Sequence, residues 1–260
     1  MMKKIQQLEN AAAKSGVRNV LRLENLTMQF GGVVAVNDLS MEVNKGEIVS
    51  LIGPNGAGKT TAMRILCGLS RPTAGEGTVA GFDIRTRQED IKKHIGYMSQ
   101  RFSLYPDLKV GENIELFGGI YGLNDKQIAQ KRKSMLERLG LEKAEKMYVR
   151  DMPLGWKQKL AFSIAMIHNP EILFLDEPTG GVDPKTRRNF WDMINEAADS
   201  GMTVFVTTHY MDEAEYCDRV SIMVDGRIEA LDSPAALKEK YGTDDMDGVF
   251  TLLAGRAERE

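Results

Sequence analysis

The stretch GPNGAGKTT, residues 53–61, places glycines at 53, 56 and 58 ahead of a lysine and two threonines. It fits the spacing G-x-x-x-x-G-K-[ST], which suits wrapping a chain around phosphate groups. Gly53, Pro54, Asn55, Gly56, Ala57 and Gly58 would curl the backbone so that its N–H groups point inward. Lys59 would hold the terminal phosphates as a point charge. Thr60 would offer its hydroxyl to Mg²⁺, with Thr61 beside it. A second stretch, ILFLDEP at 172–178, is an apolar run ending in two acids. Asp176 suits a Mg²⁺ shell, and Glu177 can polarise a water attacking the terminal phosphate. Together the two stretches imply a nucleoside triphosphate site.

A third stretch, DMPLGWKQKL at 151–160, has the composition of a helix mouth. Pro153 lacks an N–H, and Gly155 permits a close approach by the backbone. The leading N–H groups of such a helix can face an anion.

These groups need a scaffold that sets them side by side. The sequences VLRLENLTMQF, AVNDLSMEV, GEIVSLIG, GTVAGFDI and IGYMSQ carry strand signals. From about Val110 to His168 the pattern turns helical, through GENIELFGGIYGL, DKQIAQKRKSMLERLG and GWKQKLAFSIAMIH, and Asn169-Pro170 ends it. EILFLD and MTVFVTT then return as continuous apolar strands separated by the helical PKTRRNFWDMINEAADSG. Such alternation predicts a parallel sheet covered on both faces. VSIMV-DG-RIEAL predicts a hairpin on Asp225-Gly226, and DSPAAL a helix capped by Asp232 or Ser233 with Pro234 near its first position. The expected fold is α/β: a P-loop NTPase core with a parallel sheet, a flanking antiparallel β subdomain and an inserted helical subdomain.

The order of these motifs resembles the ATP-binding cassette (ABC) superfamily, as the nucleotide-binding subunit of a transporter, over roughly Leu21 to Tyr241. The resemblance implies that GPNGAGKTT is the Walker A loop and LFLDEP the Walker B strand. It implies that Gln100 of YMSQ senses Mg²⁺ and faces a membrane partner, and that His209 of VTTHYMDEAE contacts the γ-phosphate of ATP. Phe30 of LTMQFGG falls where an aromatic ring stacks on adenine, and GGVD at 180–183 where a loop communicates across a dimer. PLGWKQ falls where the family commonly has LSGGQ, with Pro153, Leu154 and Trp156 as departures and Gly155 retained. In the family this loop closes on ATP held by a second subunit, so the helix mouth would meet a ligand on another chain. The variant resembles that of certain bacterial export ATPases. The implied division is an N-terminal extension over 1–20, a nucleotide-binding domain over 21–242 with its helical part at about 101–168, and a tail over 243–260. The implied partners are an integral membrane permease and a homo- or heterodimeric second subunit, on the cytoplasmic face of the bacterial inner membrane. The helical insertion, opening with RFSLYPDLKVGENIELF, is the candidate docking surface.

Composition agrees with a soluble globular chain: 42% hydrophobic and 27% charged residues in 260. A net charge of -3 argues against a dedicated nucleic-acid binder, and no nucleic acid is expected as partner. No apolar run approaches the roughly 20 residues a membrane helix needs. The N-terminus lacks a signal-peptide centre, although Lys3, Lys4, Lys14, Arg18 and Arg22 outweigh Glu9 there. Cys67 and Cys217 stand alone in segments expected to be helical, without metal spacing. Two rivals stand beside the transporter reading. One is a soluble ABC ATPase acting on the ribosome or DNA; the other is a weakly catalytic regulatory module, suggested by Pro153.

Overall fold

The computed structural model describes residues 19–100 and 103–257, without the side chains of 256 and 257. The basic groups at 3, 4, 14 and 18, Arg101, Phe102 and the last three residues lie outside the described residues. Arg22 belongs to a strand rather than to a tail, paired with Glu24 at 2.6 Å and Glu42 at 3.3 Å.

Two sheets form. The smaller is antiparallel, from β1 (Asn19–Phe30), β2 (Val33–Asn44), β4 (Ala74–Val79) and β5 (Phe82–Asp83), in the order β2-β1-β4-β5. The larger takes β3 (Ile48–Ile52), β6 (Ile95–Met98), β7 (Ile172–Asp176), β8 (Thr203–Thr208), β9 (Arg219–Val224) and β10 (Arg227–Asp232), in the order β10-β9-β3-β8-β7-β6. All its pairings are parallel except β9 with β10. Every residue of β3, β7 and β8 is buried, because helices or the second sheet cover both faces. The hairpin forms on Asp225 and Gly226, with φ of 46° and 81°, the positive pair an Asp-Gly turn demands.

The helix α1 (Lys59–Leu66) lies between the sheets. Its Met63, Ile65 and Leu66 share one core with Leu23 and Leu39 of the small sheet and Phe174 and Phe205 of the large one. Short α2 (Gln88–His94) leads into β6. The inserted helices α3 (Val110–Ile120) and α4 (Asp125–Leu139) pack on α5 (Leu154–Ala165) through Val110, Ile114, Met135, Leu136, Leu160 and Ile164. The other face of α5 meets α6 (Pro184–Asp199), with Phe162 edge-on to Phe190 at 5.1 Å. α5 ends at Ala165, short of the expected stop at Asn169-Pro170.

After the short α7 (Met211–Ala214) and the hairpin, Ser233 caps α8 (Pro234–Tyr241) by accepting the Ala236 N–H. Asp232 belongs to β10 instead. The final α9 (Met246–Ala257) buries Met246, Val249 and Leu253 in the core beneath α6. Cys67 follows the last residue of α1, and Cys217 sits in the turn before β9; both are buried and neither is helical. Among the described residues, no helix is long and apolar enough to cross a membrane.

Candidate functional site

β3 delivers the chain into the loop 53–58, and α1 opens from it at Lys59. The glycines are needed for two different reasons. A Cβ on Gly53 would fall 2.2 Å from the Met223 carbonyl, and one on Gly58 would fall 2.1 Å from the Ala35 carbonyl. Gly56 has open space around it but needs a φ of 86°. The Gly226 N–H donates to the Ala57 carbonyl at 3.0 Å, and the Asn37 N–H to the Gly226 carbonyl at 2.8 Å. The loop is therefore held by β2 on one side and the β9–β10 hairpin on the other. No local sequence signal announces these partners, which lie far along the chain.

Within the loop, Pro54, Asn55 and Gly56 are exposed and Ala57 is buried. Lys59 is buried, its ammonium donating to the carbonyls of Gly53 at 2.8 Å and Pro54 at 3.0 Å. Burial pulls its pKa down, while the charges of Glu177 and Asp176 pull it back up. Thr60 is exposed at the first turn of α1, with Thr61 half-buried beside it.

Asp176 ends β7, buried, and accepts the Thr207 hydroxyl at 2.7 Å. Burial holds its carboxyl above the usual range. Glu177 follows in the left-handed region, at a φ of 48°, a costly conformation for a residue with a Cβ. Its N–H is held by the carbonyl and hydroxyl of Thr207, both at 3.1 Å. Gln100, just after β6, donates its amide to Glu177 Oε2 at 2.8 Å. His209, just after β8, brings Nδ1 to 3.4 Å from the same oxygen. Three parallel strands thus end on one carboxylate, at the edge where such sheets receive ligands.

Phe30 lies at the tip of the β1–β2 hairpin, 54% exposed, so it is not a core residue. Gly155 sits in the first turn of α5, where a Cβ would come 3.1 Å from Thr186 Cγ2. Among the described residues no side chain caps this helix, and Leu154 and Trp156 flank the glycine, each more than a third exposed. The Lys157 ammonium donates to the Arg150 carbonyl at 2.9 Å. No bond joins Phe30 or Gly155 to the Gln100, Glu177 and His209 group among the described residues.

A hard cation fits these donors. Thr60 offers a hydroxyl and Asp176 a buried carboxylate, and the Gln100 amide oxygen remains on the group Glu177 does not engage. Among the described residues, no cluster of three or more His, Cys, Asp or Glu side chains could hold a metal alone. One carboxylate with a hydroxyl and an amide oxygen suits Mg²⁺, which is usually shared between one or two carboxylates and substrate phosphates. Sequence reasoning missed Thr207, which orients both acids, and a buried polar cluster around Glu213.

Residues 36–180 match the protein family described as ABC transporter. The probable multidrug ABC transporter ATP-binding protein YbhF of Escherichia coli (strain K12) is 44% identical over 87% of this chain, which spans 39% of that relative's length. The Nod factor export ATP-binding protein I of Cupriavidus pinatubonensis is 37% identical over 92% of this chain and 77% of its own. Among solved structures, a dimeric ATP-binding cassette in a post-hydrolysis state with ADP and Pi superposes with a TM-score of 0.74. It is 27% identical over 82% of this chain and 98% of its own.

Proposed function

The chain belongs to the ABC transporter family, and from that premise we propose that it is the ATP-hydrolysing subunit of an exporter that drives a separate membrane permease. The observation that carries this reading is the meeting of Gln100 and His209 on Glu177 Oε2, beside a lysine-bearing phosphate loop. The backbone N–H groups of the 53–58 loop, to which Pro54 contributes none, and the Lys59 ammonium bind the β- and γ-phosphates. Phe30 stacks on the adenine. Glu177 accepts a hydrogen bond from the attacking water and polarises it, and His209 orients the γ-phosphate beside it. Mg²⁺, when bound by Thr60, Asp176 and Gln100, supplies charge neutralisation on the phosphates.

Two subunits, alike or unlike, close head to tail so that the α5 N-terminus of one faces the γ-phosphate held by the other. Pro153 removes the hydroxyl and N–H that serine supplies in the family, leaving the N–H groups of Leu154 and Gly155 and the positive end of α5. ATP favours the closed pair and hydrolysis reverses that preference, which is the motor stroke. The permease docks on the helical insertion, where Tyr105, Leu116, Ile120, Met147 and Tyr148 are exposed. The name of one relative, a Nod factor export protein, supports export as the direction.

The test combines chemistry with company. Purified protein should show Mg²⁺-dependent ATP turnover that falls at least about a hundredfold in Glu177→Gln, with ATP binding retained. Tagged chain isolated from detergent-solubilised native membranes should bring a polytopic membrane protein with it. Recovery only from the soluble fraction, with ribosomes or nucleic acid, would refute the transporter half of the proposal.

A further inference from the structure

Glu213 is fully buried in α7, four residues beyond His209, and the reaction outlined above gives it nothing to do. A buried carboxylate is costly unless its oxygens are matched. Here both are. The Thr179 hydroxyl donates to Oε1 at 2.6 Å and the Thr208 hydroxyl to Oε2 at 2.6 Å. Arg187 Nε stands 3.5 Å from Oε1. Both threonines are themselves buried.

Each partner belongs to a different piece of the site. Thr179 is two residues past Glu177. Thr208 immediately precedes His209, and its hydroxyl also accepts the Tyr210 N–H at 3.0 Å, so one oxygen spans the histidine. Arg187 lies in α6, one turn beyond Asp183, and its guanidinium covers the Tyr210 ring at 3.7 Å. The segment after Glu177 is also gripped from α5. The fully buried Gln158 directs its amide nitrogen to the Pro178 carbonyl, while its own oxygen has no partner among the described residues.

We infer that Glu213 is a positioning residue for hydrolysis: it ties the segment carrying Glu177 to the turn carrying His209 and sets the distance between them. The reason is geometric. Glu177 and His209 leave neighbouring strands on separate loops, and Glu177 holds a strained φ that its surroundings must enforce. One carboxylate accepting from both loops converts two independent loops into one unit. Because both hydroxyls donate, the anchor needs two acceptor oxygens, a requirement met by a carboxylate and not by an amide.

This inference rests on the proposed roles of Glu177 and His209. The experiment measures ATP turnover by the full chain, in wild type and in Glu177→Gln, Glu213→Gln, Thr208→Val and Thr208→Ser. Glu213→Gln should lower kcat by about tenfold with KM for ATP within about twofold of wild type. Thr208→Val should do the same and Thr208→Ser should restore turnover, a rescue that packing alone would not give. Combining Glu213→Gln with Thr208→Val should cost no more than either alone. A lower melting temperature with unchanged kcat per folded molecule, or equal turnover in Thr208→Val and Thr208→Ser, would overturn the inference while leaving the function intact. Wild-type turnover that persists in Glu177→Gln would overturn the functional reading, and this inference with it.

Discussion

At the scale of single residues, the site is built from groups held against their own preferences. Asp176 is kept buried with one hydroxyl donor, and its folded pKa lies above the ordinary 3.8. A carboxyl whose folded pKa exceeds its unfolded value binds more protons when native. Its contribution to stability is therefore greatest below about 3.8 and is lost as pH rises through the folded value. At neutral pH this aspartate destabilises the ligand-free protein. Asp176→Asn keeps an oxygen for the Thr207 hydroxyl and should raise the melting temperature at pH 7, by a margin that shrinks towards pH 4. The same variant should lose Mg²⁺-dependent turnover. A melting temperature below wild type at pH 7 would show that burial is not what strains this group.

At the scale of elements, the helical insertion is fastened to the core through a histidine that must stay neutral. His168, just past α5, stacks on Tyr121 at 3.8 Å and meets the Ile95 carbonyl through Nε2 at 3.0 Å. Its Nδ1 has no partner among the described residues, so a second proton there would be buried without an acceptor. Burial pushes the pKa from 6.5 down to about 4. The unfolded chain then binds more protons than the native one between those values. Stability is present above about 6.5 and drains away as pH falls towards 4. Denaturation midpoints measured from pH 7 to pH 4.5 should fall less in His168→Gln, which keeps an N–H for Ile95, than in wild type. Equal slopes would assign the acid sensitivity to other groups.

At the scale of the whole molecule, the α5 mouth is the feature one chain leaves unexplained. Among the described residues it carries no side-chain cap and no bond to the Glu177 group of its own chain, and it sits beside exposed Leu154 and Trp156. In the head-to-tail pair proposed above, the second subunit would supply the missing partner. ATP should drive the Glu177→Gln protein into dimers detectable by light scattering. Adding Gly155→Asp should weaken that dimerisation by at least about tenfold, because a carboxylate would face the γ-phosphate. The isolated chain should keep its melting temperature, since an acid in a helix's first turn is favourable and Thr186 needs to yield only slightly. Dimers of undiminished strength would remove the α5 mouth from the closed site.

The sequence by itself determined what depends on near neighbours. The phosphate loop, the acid-tipped strand, the Asp225-Gly226 hairpin and the alternation of strands and helices were legible because spacing, periodicity and turn chemistry act within a few residues. The family resemblance also placed Gln100 at Mg²⁺ and His209 at the γ-phosphate, without saying which side chains of this chain they meet. Only the tertiary structure decided that these two meet on one oxygen of Glu177, because β6, β7 and β8 come from distant stretches and are joined by the sheet order. The Met223 and Ala35 carbonyls that demand Gly53 and Gly58, and the three segments that satisfy Glu213, have the same origin. A buried polar group is explained by the partners that desolvation forces it to find, and those partners are brought to it by the packing of the whole chain.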